Sequence, residues 1–303
     1  MLLLPENAKI IGQGITGSEG SKALIWMKDY GTNIVAGVTP GKGGQVLEGV
    51  PIFNTVEEAL KEVGPIDGAV SFVPPKFVLD ASLEILNSGI KFLLIGAEKV
   101  PTKDSSLIYA KSKEVGASVI GPNSVGLICP SRKLKLGLIG GNKDDSVFVP
   151  GNIAIVSKSG SMTAEIALLL KKSGLGVSFA VGIGGDRIIG CDFADFILEL
   201  ENDPNTKASV IFGELGGTYE ERLAAYISEG KIKKPVISFI GGEFTESLPS
   251  EVQFGHAGAI IEGNRGKPAH KREVLAKAGA KIAMSIDEIP VLLKGNASTT
   301  LSK

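Results

Sequence analysis

Short β-branched or apolar runs alternate with segments of helical period along almost the whole chain, and this alternation constrains the fold more than any single residue. Runs over 9–11, 34–38, 68–73, 91–95 and 118–120 have the length and composition of buried strands. Between them, apolar residues recur at helical spacing near 21–30, 56–62, 78–88 and 106–115. A strand followed by a helix and another strand pairs in parallel only through a crossover, so the repeated unit predicts parallel sheets with helices on both faces. Near residue 130 the pattern breaks into Pro130-Ser131-Arg132, Gly140-Gly141-Asn142 and Pro150-Gly151, all turn formers. It then resumes, with strands expected over 153–157, 176–181, 208–212, 235–240 and 281–283, and helices over 162–172, 192–201, 219–228, 271–278 and from 287. At 303 residues, two cores of about 150 residues each are expected. The reading is an α/β protein of two doubly wound parallel sheets: a Rossmann-like domain over 1–130, a linker over 131–150 and a flavodoxin-like domain over 151–303.

Where phosphate can bind follows from the glycines. Gly12-Gln13-Gly14-Ile15-Thr16-Gly17 stands directly after the first strand and before the first helix, the context that a GxGxxG phosphate loop requires. A dinucleotide enzyme would then end its second strand in an acid to hold the ribose hydroxyls. Here the strand runs into Val38-Thr39-Pro40-Gly41-Lys42-Gly43-Gly44. Lys42 on a glycine-flanked loop suits an additional ribose phosphate, as in coenzyme A or NADP; the alternative is a solvated lysine in a turn. In the second half, Ser157-Lys158-Ser159-Gly160-Ser161 leads from a strand into a helix, either as an anion site of free N–H groups and hydroxyls or as an ordinary serine N-cap. Gly182-Ile183-Gly184-Gly185-Asp186-Arg187 and Gly213-Glu214-Leu215-Gly216-Gly217 close the next two strands, so all three loops are expected along one carboxyl edge.

His256 and His270 are the chain's two histidines. His256 lies in Phe254-Gly255-His256-Ala257-Gly258-Ala259, where the flanking glycines let the imidazole be presented on a loop. No zinc spacing and no GxSxG surround it, which leaves a nucleophile, a proton shuttle or a plain loop residue, and no resident metal is expected. Glu214 is a candidate to orient that imidazole; otherwise it serves the dipole of the following helix. No GxxxxGK[ST] occurs, so a triphosphate site of that type is absent; if His256 is to be phosphorylated, the triphosphate is bound elsewhere, most simply on a partner chain.

A net charge of −1 leaves no basic stripe for nucleic acid. Cys129 and Cys191 fall in no CxxC pattern, and no apolar run is long enough to span a bilayer or to serve as a signal peptide. A soluble, cytoplasmic protein is expected, with reduced thiols and no membrane partner.

Taken together, Gly14-Ile15-Thr16-Gly17-Ser18, Gly37 to Gly44, Ile120-Gly121-Pro122-Asn123, Ser159-Gly160, Gly182 to Asp186, Gly213 to Gly217 and Gly255 to Ala259 resemble the α subunit of succinyl-CoA synthetase and the corresponding segment of ATP-citrate lyase. The resemblance implies a CoA-binding Rossmann domain followed by a ligase domain. It also implies a larger ATP-grasp β-type subunit that binds ATP and Mg²⁺, in an assembly with two copies of each chain. His256 then takes the γ-phosphate with Glu214 in support, hands it to a carboxylate as an acyl phosphate, and CoA displaces the phosphate to give a thioester. Thr16, Gly17, Ser18, Glu19, Lys42, Val73, Pro74 and Glu98 match CoA contacts. Asn123, Ser159, Gly160, Ser161 and Arg187 are assigned to phosphate and acid. Ala164 replaces a tyrosine of succinate-type members, Ser124-Val125 stands where they tend to have Cys-Pro, and Arg187 can pair with an extra carboxylate. Those departures resemble a citryl-CoA synthetase small subunit, so citrate is the expected acid, with succinate and malate as alternatives. A non-catalytic CoA- or dinucleotide-binding regulator is the reading from a different class.

Overall fold

A computed structural model describes residues 3–243 and 266–297. The first sheet has the order β3-β4-β2-β1-β5-β6-β7, from β1 (Ile10–Gln13), β2 (Ile34–Val38), β3 (Val46–Leu47), β4 (Val50–Phe53), β5 (Gly68–Ser71), β6 (Phe92–Ile95) and β7 (Ser118–Ile120). All of these pair in parallel except the two-residue β3, which forms a hairpin on β4 through Glu48 and Gly49, both at positive φ. The chain steps outward from β1 to β2 and β4, then crosses to β5 on the other side, which puts the topological switch point at β1. Helices α1 (Ser18–Tyr30), α2 (Val56–Val63), α3 (Val78–Asn87) and α4 (Thr102–Val115) make the crossovers. The central strands β1, β5 and β6 are buried at every position, as a sheet covered on both faces must be.

In the second sheet the order is β14-β13-β12-β10-β11-β8-β9. Its parallel part comprises β10 (Pro150–Ser157), β11 (Val177–Gly182), β12 (Ala208–Gly213), β13 (Val236–Ile240) and β14 (Lys281–Ala283), with the switch point at β10 between β11 and β12. Helices α6 (Gly160–Lys172), α7 (Phe193–Glu201), α8 (Tyr219–Ser228), α9 (Pro268–Ala278) and α10 (Glu288–Ala297) cover it, and α5 (Asp144–Val147) is a single turn ahead of β10.

One expectation changes. The stretch read as a linker over 131–150 begins inside a hairpin of β8 (Gly126–Cys129) and β9 (Leu134–Gly137), which adds antiparallel to β11. The change of sheet therefore falls earlier, between β7 and β8, and neither sheet is purely parallel. β8 and β9 are buried at every residue; β8 reads as a short apolar run, β9 alternates only over Leu134-Lys135-Leu136-Gly137, and their glycines read as breaks. Gly126 in fact permits close strand approach: a Cβ there would lie 2.0 Å from the Leu136 carbonyl oxygen.

The hairpin also sews the halves together. The Thr32 hydroxyl donates to the Lys135 carbonyl at 2.7 Å and accepts from the Lys135 N–H at 2.9 Å, and Arg132 donates to the Leu4 carbonyl at 2.6 Å. One apolar core runs through both halves, from Leu24 and Ile120 to Leu136 and Phe193.

Candidate active site

At the first switch point the chain leaves β1 through Gly14, whose φ of 69° favours glycine. A Cβ on Gly20 would lie 2.4 Å from the Gly14 carbonyl oxygen, so the first turn of α1 packs on the loop with no room for a side chain. Gly17 caps α1 without a side-chain bond, leaving its first N–H groups to whatever lies in front of the helix. The Thr16 and Thr39 hydroxyls, 3.2 Å apart, join this loop to the one after β2. Lys42 is exposed on that second loop. Asn54 holds it in shape, its Oδ1 accepting from the Gly41 and Gly43 N–H groups at 2.9 and 3.0 Å.

A cavity of about 350 Å³ opens at the same edge, lined among others by Glu19, Phe72, Val73, Glu98, Ser124 and Leu138. Three of the sequence-predicted CoA contacts, Glu19, Val73 and Glu98, thus line one cavity, while Thr16 and Gly17 lie in the loop before α1 and Ser18 is its first residue. Pro74 is exposed directly after Val73. Lys42 stands apart on its Asn54-held loop.

Residues 121–125 carry the chain from one carboxyl edge to the other. The Asn123 N–H donates to the Ala97 carbonyl at 2.8 Å, and its side-chain amide donates to Asp186 at 3.1 Å. Ser124 is buried, donating its hydroxyl to the Gly182 carbonyl at 2.6 Å and accepting from the Gly126 N–H. Val125 lies against Gly160, where a Cβ would come within 2.8 Å of its own Cβ. The two edges therefore meet at this segment.

At the second switch point Ser159 is the N-cap of α6: its Oγ accepts from the Met162 N–H at 3.4 Å and lies 3.1 Å from the Ser161 Oγ. The N-cap is present, with Gly160 and Ser161 supplying the first N–H groups of the helix. Arg187, after β11, is exposed, and its carbonyl accepts from the Tyr219 hydroxyl at 3.3 Å. Burial pushes the Tyr219 phenol up to about 12. Ala164 packs half-buried against the core beneath the second sheet.

Glu214 follows β12 and precedes Thr218, the N-cap of α8, so it stands outside the first turn of that helix, whose acids are Glu220 and Glu221. Its carboxylate approaches Lys158 at 3.5 Å, and Lys158 lies 5.6 Å over the Tyr219 ring. Its backbone is pinned from below. Lys271 donates to the Glu214 carbonyl and to the Glu220 carboxylate, both at 2.7 Å, and to the Gly216 carbonyl. Glu220 in turn accepts from the Glu214 N–H at 3.4 Å, and the Gly216 N–H donates to the Gly266 carbonyl at 2.8 Å.

Asn54, Lys158, Tyr219, Glu220 and Lys271 were not singled out from the sequence. Lys271 lies in the charge-rich run Lys267 to Lys281, which reads as a solvated helix face, and Lys158 is masked by the serines around it. His256 lies outside the described residues. Among the described residues no group of His, Cys, Asp and Glu is placed to hold a metal ion, and no helix is long and apolar enough to cross a membrane.

Two glycine-cradled carboxyl edges meeting at one crossover define a two-domain α/β protein, and comparison with known families says of which class. A family model described as a CoA binding domain matches residues 5–99, and one described as CoA-ligase matches residues 156–282. The chain is thus an acid-thiol ligase by class. Among its relatives, the α subunit 1 of ADP-forming succinate–CoA ligase from Archaeoglobus fulgidus is 42% identical over 95% of each chain. A subunit of an ADP-forming sulfoacetate-CoA ligase from an Acholeplasma species is 42% identical over 93% of each. The chain belongs to the family of ADP-forming CoA-ligase α subunits. Its fold also matches that of ATP citrate lyase from Methanothrix soehngenii, solved with citrate and coenzyme A, at a TM-score of 0.90 and 27% identity; the match covers 99% of this chain and about half, 51%, of that one.

Proposed function

We propose that this chain is the CoA- and acid-handling subunit of an ADP-forming ligase that joins a short carboxylic acid with at least two anionic groups to CoA, with succinate ahead of citrate. The observation that carries the reading is Glu214, whose backbone is pinned by Lys271 and Glu220 and whose carboxylate meets Lys158 at 3.5 Å at the carboxyl edge of the CoA-ligase domain, the position that the resemblance assigns to the support of a phosphohistidine. His256 accepts the γ-phosphate and ADP leaves. The phosphoryl group passes to a carboxylate of the acid, and the CoA thiol displaces inorganic phosphate to form the thioester. ATP and Mg²⁺ are held on a β-type partner, in a complex with two copies of each chain.

Coenzyme A fits the residues present. The glycine loop lets the first turn of α1 pack directly on the Gly14 backbone, and the N–H groups at the start of α1 suit a pyrophosphate. Lys42 suits the ribose phosphate, and the cavity walls at Phe72, Val73, Ala97 and Leu138 suit an apolar arm. Asn123, Ser159, Gly160, Ser161 and Arg187 face the second half of the reaction, where fixed backbone dipoles stabilise phosphoryl charge. The buried, unpaired thiols of Cys129 and Cys191 suit a reducing cytoplasm.

The sequence departures at Ala164 and Arg187 favour citrate, but the relatives weigh more. Full-length kinship is to succinate–CoA and sulfoacetate-CoA ligases, whereas the citrate link is a fold match at lower identity to a longer chain. An acid with two anionic ends suits the exposed Arg187 in each case. The test is thioester formation by this chain with its partner subunit, ATP, Mg²⁺ and CoA, comparing succinate, citrate, malate and sulfoacetate. We expect succinate to give the highest kcat/KM; a clear citrate preference would return the substrate assignment to the Ala164 and Arg187 departures.

A further inference from the structure

Among the described residues, the lysines whose side chains are wholly or almost wholly buried are Lys135, Lys158 and Lys271, and they differ in how they are satisfied. Lys271 has acceptors on Glu214, Gly216 and Glu220, and Lys135 has Gly141 and Asp144. Lys158, whose side chain is 1% exposed, has one polar partner among the described residues: the Glu214 carboxylate at 3.5 Å, well beyond the usual length of about 2.8 Å for a charge-assisted bond. The Tyr219 ring is its other neighbour, at cation–π distance. An ammonium desolvated for one long ion pair and one ring contact is a poor stability device, since apolar residues of similar size do as well or better in such places. Its value must lie in what it does to Glu214.

We propose that Lys158 is a positioning residue for Glu214, setting the direction of the carboxylate while Lys271 and Glu220 set the height of its backbone. The inference rests on the proposed role of Glu214 beside a phosphorylated imidazole. Lys271 and Glu220 act on the Glu214 N–H and C=O and not on its carboxylate. Lys158, itself seated over the Tyr219 ring, meets the carboxylate from the end of β10, the strand that pairs with β12 at the switch point. A misplacement of about 1 Å in such a group lowers turnover by roughly 10²-fold.

The test uses the whole chain with its partner subunit, comparing wild type, Lys158→Met, Lys158→Arg and His256→Ala in thioester formation, with melting temperatures of each. For Lys158→Met we expect kcat to fall by roughly 10²-fold with KM for CoA unchanged, because the CoA cradle is on the other sheet, and a melting temperature equal to or above wild type. Lys158→Arg keeps the charge and restores most of kcat. Wild-type kcat in Lys158→Met overturns the proposal while leaving the ligase reading intact. A loss of kcat that tracks a lowered melting temperature and is not restored by Lys158→Arg shows a merely structural lysine and also overturns it. Full activity in His256→Ala overturns the phosphohistidine reading itself, and this proposal with it.

Discussion

Asn54 shows how a residue away from any recognisable motif shapes a binding loop. By accepting from both Gly41 and Gly43 it fixes the glycine turn that carries Lys42, and the turn is so close to it that a Cβ on Gly43 would lie 2.3 Å from the Asn54 amide nitrogen. We expect Asn54→Ala to raise KM for CoA by roughly tenfold, the equivalent of about 1.4 kcal/mol, with kcat nearly unchanged. Steady-state kinetics with varied CoA checks this, and an unchanged KM would reduce Asn54 to a loop staple. From the sequence, Asn54 reads as the residue before a helix start, which it also is: Thr55 caps α2 by accepting from Glu58. Its second task depends on a contact across the β3–β4 hairpin. That hairpin turns through Glu48 at positive φ, a conformation that a glutamate rarely signals.

At the scale of elements, β9 and α5 are joined by the Lys135–Asp144 pair, buried beneath Trp26 at the seam between the halves. Burial pushes the Asp144 carboxyl up, with Lys135 pulling against it, and pushes the Lys135 ammonium down, with Asp144 pulling against that. Between the ordinary aspartate value and the raised one, the folded chain binds the extra proton, so the contribution of Asp144 to stability falls as pH rises through that window. Between the lowered lysine value and the ordinary one, the unfolded chain binds the extra proton, so the contribution of Lys135 rises with pH there. Both directions mark the charges as costly to bury. We therefore expect Lys135→Met to destabilise by about 3–5 kcal/mol near neutral pH, and less as pH falls and Asp144 takes up a proton. Lys135→Met/Asp144→Leu together are expected to be neutral or stabilising by up to about 4 kcal/mol. Chemical denaturation across pH measures both; a double variant less stable than the single one would contradict the argument.

For the molecule as a whole, the parallel core was legible because strands covered on both faces read as short apolar runs: β7, α8 and β14 fall on their expected bounds, and the glycine loops follow β1, β10, β11 and β12 as expected. The antiparallel additions were not legible. β8 is a short apolar run like the parallel strands, while β9, with Lys135 between Leu134 and Leu136, is too short and too glycine-bounded to stand out from a linker. The charged residues around Glu214 escaped for a related reason, since lysine and glutamate are read as solvated unless a partner is visible, and the partners here come from different strand ends. What unites the molecule is one apolar core passing beneath both carboxyl edges, so that the CoA cradle and the Glu214 loop hold a fixed relation through residues 121–125. The most direct test is phosphorylation of this chain, in complex with its partner subunit, by γ-labelled ATP and Mg²⁺. We expect an acid-labile, base-stable label on the wild-type chain, released on addition of acid substrate and CoA with formation of the thioester, and no label on His256→Ala. A His256→Ala chain that still takes up the label, or still forms thioester at the wild-type rate, would contradict a phosphohistidine mechanism.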